Sequence, residues 1–165
     1  MSTGIQVRRA KLADAEAIAD FVSAAHPDAS PITRLAVAER FGQVGFIIAE
    51  RESELVGLLG WQVENLVVRV TDFLVSSVVN RATVGEVLID WMEDEGRTLR
   101  AEAALLFLPS NPSPQLVEFW KSFGYEYQSV GDLERVWREA AIEWGFADDS
   151  VMIKRLSEDL VRRPM

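Results

Sequence analysis

The stretch Phe73–Met92, FLVSSVVNRATVGEVLIDWM, changes its periodicity half-way, and that change limits what the chain can fold into. It opens as an apolar run, passes through a small polar turn and becomes a helix. In the helical half, Val84, Val87, Leu88, Trp91 and Met92 fall at i, i+3, i+4, i+7 and i+8, which is one buried stripe. Glu86, Asp90, Glu93, Asp94 and Arg97 take the other side. Thr83 followed three residues later by Glu86 reads as a capping box and puts the helix start at Thr83. The preceding Val67–Ser76 is rich in β-branched residues and apolar on both faces, as a central strand is. A strand, a tight loop and a helix N-terminus in that order offer a phosphate free N–H groups and partial positive charge. A plain strand–turn–helix with a Thr cap carries the same pattern.

The chain has 165 residues, enough for one domain (1–165) with its own core. It has no cysteine and one histidine, His26. Disulfides, Cys-based zinc sites and His clusters are therefore excluded, and no metal site is expected. Met1–Ala10 is polar and basic with no apolar core after it, and no apolar run approaches the ~20 residues of a membrane span. A cytoplasmic protein without a membrane partner is expected. The net charge of −9 would repel nucleic acid. It is compatible with a cationic substrate such as an amine, and is explained more simply as an acidic surface that maintains solubility.

Ile5–Arg9 alternates as a short strand. Asp14 can cap a helix with Ile18, Phe21, Val22 and Ala25 as its buried stripe. His26-Pro27-Asp28 is a turn, and Ser30-Pro31 starts a weaker helix that runs to about Gly42. Val44–Glu50 and Leu55–Glu64 read as an antiparallel hairpin across the polar turn Arg51–Glu54, and Asn65-Leu66 leads into the central strand. Trp61 is expected in the core or in a pocket wall. After the central helix, which ends at Gly96 or near Arg100, Ala103–Leu108 is an apolar strand. Asn111 then caps a helix with Pro112 at its first position and Leu116, Phe119, Trp120 and Phe123 as its stripe, and Gly124 ends it. Tyr125–Val130 is the next strand. Leu133, Val136, Trp137, Ala140, Ala141 and Trp144 mark a helix capped by Asp132, and Val151–Leu156 is the final strand before the polar tail Ser157–Met165.

This order of elements resembles the GCN5-related N-acetyltransferase (GNAT) family over about residues 5–130 and 150–156. Val7–Val22 is similar to the family's first strand and helix, including the Asp that opens the helix. Leu55-Val56-Gly57 is similar to the aliphatic-aliphatic-Gly triplet of its third strand. The family's cofactor segment runs aliphatic-x-Val, two residues, then Gln/Arg-x-x-Gly-x-Gly/Ala. Phe73 and Val75 fill the aliphatic places, and Asn80, Thr83 and Gly85 fill the three polar and glycine places. Only Gly85 is retained, and Thr83 puts a Cβ where the backbone has to approach the pyrophosphate. Trp120-Lys121-Ser122-Phe123-Gly124-Tyr125 is similar to the Tyr-x-x-aliphatic-Gly pattern of the family's second cofactor segment.

The resemblance implies an α/β (α+β) fold, a mixed twisted central sheet with helices on both faces. It implies an acyl-CoA-dependent N-acetyltransferase using acetyl-CoA, or another acyl-CoA, to acylate a small-molecule or protein amine. The cofactor would lie against Phe73, Leu74 and Val75 and the loop Asn80, Arg81, Ala82, Thr83, Val84, Gly85 and Glu86, with Asn111 and Trp120 on the far side. Main-chain N–H groups around Val75 would hold the thioester carbonyl, Ser76 and Ser77 could bond the cofactor arm, and Arg81 could add a cation. The family's acid Tyr is replaced by Trp120, which its helical spacing explains better as core. Where relatives carry a carboxylate base on the fourth strand this chain has Arg69 and Thr71. Asp72 is one residue off and on the opposite face unless a bulge swings it back, and Glu50 and Glu64 are the other strand-borne carboxylates. These departures sustain a competing expectation, a non-catalytic module of the same fold that senses CoA or binds a protein. The 132–144 helix has no counterpart in the family and could pack on the sheet, cover the acceptor site or form a homodimer contact.

Overall fold

β-Branched and apolar runs become strands, and the segments of helical period become helices, in a computed structural model that describes residues 4–64 and 66–156. The order is β1 (Ile5–Arg9), α1 (Ala15–Ala25), α2 (Arg34–Arg40), β2 (Gly45–Arg51), β3 (Glu54–Glu64) and β4 (Val67–Val75). Then follow α3 (Arg81–Thr98), β5 (Ala103–Phe107), α4 (Pro114–Lys121), β6 (Glu126–Ser129), α5 (Arg135–Glu143) and β7 (Ser150–Arg155). The strands form one seven-stranded sheet in the order β1-β2-β3-β4-β5-β7-β6. It is mixed, because β4 and β5 run parallel while β1/β2, β2/β3, β5/β7 and β6/β7 are antiparallel.

The chain divides into two compact units. One holds the described residues up to Gln62 with Thr71–Met92, and the other holds the described residues of Val63–Val70 and those from Glu93 onward. In the first unit, alternation along β3 sends Leu58 to the face of α1 and α2, where it joins Ile18, Val37, Phe46 and Ile48. Gly57 faces the other way. A Cβ there would lie 2.8 Å from Val84 and 2.9 Å from Leu88, so this glycine lets α3 approach the sheet. In the second unit, Val67, Ala103, Leu105, Val151 and Ile153 point to one face and are covered by Trp137, Ala140 and Ala141 of α5. On its other face, Gly96 of α3 comes against Val68 and Leu156. Of its three expected roles, the 132–144 helix therefore packs on the sheet. Among the described residues no helix is long and apolar enough to cross a membrane. No group of three or more His, Cys, Asp or Glu in them is placed to hold a metal ion.

The helix caps are where the structure departs most from the sequence expectations. Asn80, not Thr83, caps α3, since its Oδ1 accepts the Thr83 N–H at 2.9 Å and the helix starts at Arg81. Ser113, not Asn111, caps α4 by accepting the Leu116 N–H at 3.1 Å, and Pro114 takes the first helical position. Thr33, not Ser30, caps α2. Asp14 precedes α1 without capping it through its side chain, because its carboxylate takes both Arg8 terminal nitrogens at 2.9 Å and the Lys11 N–H at 2.7 Å. Asp132 lies in a 3-10 turn, Val130–Asp132, and Glu134 is at the α5 cap position with no side-chain bond. The expected Asn65 turn residue and the Ser157–Met165 tail lie outside the described residues.

Candidate active site

The end of β4 and the loop into α3 line a cleft in the first unit. One part, about 410 Å³, lies between Leu74–Ser77 and the last turn of α1, at Phe21, Ala24 and Ala25. Another, about 390 Å³, follows Phe73–Ser77 to Val79 and Arg81. The Ser76 N–H donates to Val56 O of β3 at 2.8 Å. Successive amides of an extended chain point to opposite sides, so the Val75 N–H points away from β3. The register pairs of β4 with β5 run from Val67↔Ala103 to Arg69↔Leu105, while β4 continues to Val75. Ser76 Oγ accepts the Val78 N–H at 3.3 Å and tightens the turn. The α3 N-terminus follows, with the Arg81, Ala82 and Thr83 amides in the first turn, where no helical carbonyl precedes them. Asn80 Oδ1 takes the third of these. Among the described residues that line the cleft there is no Asp, Glu or His, and Arg81 brings positive charge.

The expected cofactor residues divide by burial. Phe73, Leu74 and Val75 are half-buried in the cleft wall, while Asn80, Arg81, Ala82 and Glu86 are exposed and Thr83 is half-buried. Val84 and Gly85 are buried in α3, and Val84 faces Gly57 of the sheet. In the second unit Asn111 is exposed ahead of the α4 cap. Trp120 is 1% exposed and stands edge-on to Tyr125 at 5.0 Å and to Phe119 at 5.9 Å, so the structure assigns it to the core. Tyr125 is committed too. Its hydroxyl donates to the buried Glu93 at 2.8 Å, and Glu93 also receives Lys154 Nζ at 2.9 Å.

The candidate base residues are held by arginines or remote. Glu50 accepts from Arg8 Nε at 3.0 Å, and Glu64 is exposed at the end of β3. Asp72 sits on the face opposite Arg69, as alternation requires, and that face carries α1 and α2. There Arg40 of α2 grips it with two bonds of 3.0 and 2.7 Å, and Thr71 Oγ1 bonds it at 2.7 Å. The Asp72 hydrogen bonds, against some burial, hold the Arg40 guanidinium above its ordinary pKa. Room for the carboxylate comes from Gly60, where a Cβ would lie 3.2 Å from Asp72 Cβ and 2.7 Å from Thr71 Oγ1.

Beside the pair is a cavity of about 200 Å³, walled by Ile18 and Val22 of α1, Ile32, Ala36, Phe46 and Leu58. Arg40 and this cavity were not legible as a site. The apolar residues read only as helix stripe and strand core, and the one available signal was Asp72, the single acidic residue of β4.

No protein-family model matches the chain, and no curated protein matches it in sequence. Solved structures do match. An acetyltransferase of the GNAT family from Staphylococcus aureus Mu50 superposes with a TM-score of 0.72 at 14% identity, over 93% of this chain and 99% of that one. The fold is that of the GCN5-related N-acetyltransferases. A GNAT-superfamily phosphinothricin acetyltransferase from Sinorhizobium meliloti, in complex with AcCoA, gives 0.70 at 14% identity over 99% and 94% of the two chains. N-acetylglutamate synthase from Neisseria gonorrhoeae, complexed with coenzyme A and N-acetyl-glutamate, gives 0.70 at 17% identity over 96% of this chain. The chain spans about a third of that synthase, 36% of its length.

Proposed function

We propose that this protein is a divergent acyl-CoA-dependent N-acetyltransferase that acylates an amine, carried either by a small molecule or by a protein. The observation that carries this reading is the cleft along Phe73–Arg81. It combines an amide directed away from β3 at Val75, a turn, and a helix N-terminus with Arg81, in a fold whose solved examples include CoA and AcCoA complexes. The lining suits an acyl-CoA. Phe73, Leu74 and Val79 offer apolar surface to its arm, Ser76 and Ser77 are adjacent, and the Arg81 and Ala82 amides with the Arg81 side chain suit phosphates.

A bound acetyl-CoA supplies an activated acyl carbonyl and a thiolate leaving group. This chain's part is to orient the carbonyl at the Val75 N–H and to steady the negative charge that develops on its oxygen when the amine attacks. The neutral amine attacks, the new N–C bond forms as the C–S bond breaks, and the nitrogen gives up one proton to solvent. With thiol pKa near ~8.5, the thiolate leaves and takes its proton from solvent, so an acidic side chain is dispensable at a cost in rate. Trp120 and Tyr125, both buried, have no part in this scheme.

One observation favours the competing reading of a non-catalytic CoA sensor or interaction module. Asn80 Oδ1 occupies the Thr83 N–H, which removes one donor from the phosphate site. The two readings separate by calorimetric titration with acetyl-CoA and assay of thiol release with amines. Binding that Arg81→Glu weakens at least ~10-fold, together with amine-dependent thiol release, is the expected result. Binding without release from any amine would favour the sensor, and no binding at millimolar acetyl-CoA would overturn both. Arg81 is the residue to vary because it is exposed, whereas Gly85 is buried and its substitution would disturb α3.

A further inference from the structure

The geometry points to an acceptor amine whose non-reacting part is a single uncharged apolar group, held in the cavity beside Arg40 and Asp72. This assignment rests on the acetyltransferase reading of the cleft. Cavity and cleft are built from the same two elements in succession. Ile18 and Val22 of α1 wall the cavity and Phe21, Ala24 and Ala25 wall the cleft. On β4 and the residue after it, Asp72 belongs to the cavity and Leu74 and Ser76 to the cleft, alternate residues on one face and ~6.6 Å apart in succession. A molecule with its body in the cavity thus directs its other end along β4 toward Leu74 and Val75.

The cavity's chemistry selects that body. At about 200 Å³ it exceeds the ~150 Å³ of an engineered apolar cavity that takes up benzene. Its walls are aliphatic and aromatic side chains apart from one ion pair. Asp72 is the group that would attract a second ammonium, but both its oxygens are engaged by Arg40. Arg40 also lies over the Phe46 ring at 5.2 Å, so the pair is fixed from two sides. A diamine or a lysine-like acceptor would bury an unpaired charge here, and an alkyl or aryl amine would not.

The test uses the full chain, acetyl-CoA and three amines, namely ethylamine, pentylamine and cadaverine, the last differing from pentylamine by one terminal ammonium. Thiol release should give kcat/KM for pentylamine at least ~10-fold above ethylamine, the low end for added methylenes in an apolar pocket. Cadaverine should fall at least ~100-fold below pentylamine. Ala36→Phe and Ile32→Trp fill the cavity from two positions that are exposed enough to tolerate the change. Each should remove the pentylamine preference, bringing its kcat/KM to within a few-fold of that for ethylamine measured on the same variant, and melting curves report whether each variant is folded. Equal rates across the amines, a cadaverine preference, or a pentylamine preference that neither folded variant moves overturns this assignment alone. Failure of acetyl-CoA to bind overturns the acetyltransferase reading, and this assignment with it.

Discussion

Gly60→Ala tests whether the Asp72–Arg40 pair is built as described. A methyl on Gly60 would come closer to Asp72 Oδ2 than real Cβ atoms come to anything, and would stand 2.7 Å from Thr71 Oγ1 and 3.2 Å from Asp72 Cβ. Ordinary contact needs about 3.5 Å, so Thr71 Oγ1 must retreat by roughly 0.8 Å from its 2.7 Å. Asp72 has to move with it, yet its bonds to Arg40 are already 3.0 and 2.7 Å and have little slack. Overpacking of this kind costs about 1–3 kcal/mol. For a chain of 165 residues each kcal/mol lowers Tm by about 2–4 °C, so the fall should be about 2–12 °C. The assay is calorimetric melting of the wild type, Gly60→Ala, Asp72→Ala and the double variant in one buffer. Asp72→Ala removes the nearest clashing atom, so the Gly60→Ala penalty should shrink by at least ~0.5 kcal/mol in that background. A Gly60→Ala protein that melts with the wild type, or an equal penalty in both backgrounds, would mean that Gly60 does not make the room for the Asp72–Arg40 pair.

Three further outcomes follow from ion pairs and exposed surface. The Arg8 hydrogen bonds, opposed by some burial and helped by the Lys11 N–H, hold the Asp14 carboxyl below its ordinary pKa. Its contribution is therefore present above the unfolded value near ~4 and is lost as pH falls through the folded value. Asp14→Asn should cost up to about 1 kcal/mol at neutral pH and progressively less as the pH is lowered below ~4, as measured by urea melts across that range. Lys154→Met leaves Glu93, which is 3% exposed, without its nearest cation. It should lose about 3 kcal/mol, part of which Glu93→Gln restores in the same chain, and an unchanged urea midpoint would count against this. A homodimer contact of the kind open to the 132–144 helix would use the exposed apolar side of α5, at Val136, Ile142 and the nearby Leu66. Val136→Glu with Ile142→Glu should then abolish any concentration dependence of the light-scattering mass, and a dependence that persists contradicts this placement. Trp137 is the wrong probe, because it is buried against the sheet.

The strands and helices were legible because each is a run of one period. Val67–Ser76 and Val44–Glu50 read as β from their branched residues and fold as Val67–Val75 and Gly45–Arg51, and the Val84–Met92 stripe read as helix. Helix starts were less legible because capping residues come in clusters. Asn111-Pro112-Ser113-Pro114 carries the cap–proline signal twice, and only the folded chain shows that Ser113 is used. Thr83 has the pattern of a cap, but Asn80 stands before it and its side chain reaches the Thr83 amide. Nothing local predicts that Asp14 will bond Arg8 rather than its own helix. The candidate site was half legible. The segment expected to hold the cofactor is contiguous in sequence, and a cleft follows it. The Arg40–Asp72 pair joins residues 32 apart, and Glu93–Lys154 joins residues 61 apart. Such pairs depend on strand order and register, which no periodicity encodes. Burial removed Trp120 from the site for the same reason, since a helical stripe tells which face is apolar and not what covers it.

Whether the end of β4 and the start of α3 bind an acyl-CoA is tested most directly by an amide-resolved NMR titration of the isotope-labelled protein with acetyl-CoA. The expected result is a saturable shift of the Val75, Ser76, Arg81 and Ala82 amides, the groups that face or border the cleft, with the Thr83 amide moving less because Asn80 already holds it. Saturation that leaves these amides unmoved, or no shift at millimolar acetyl-CoA, would contradict the claim that the end of β4 and the start of α3 form an acyl-CoA site.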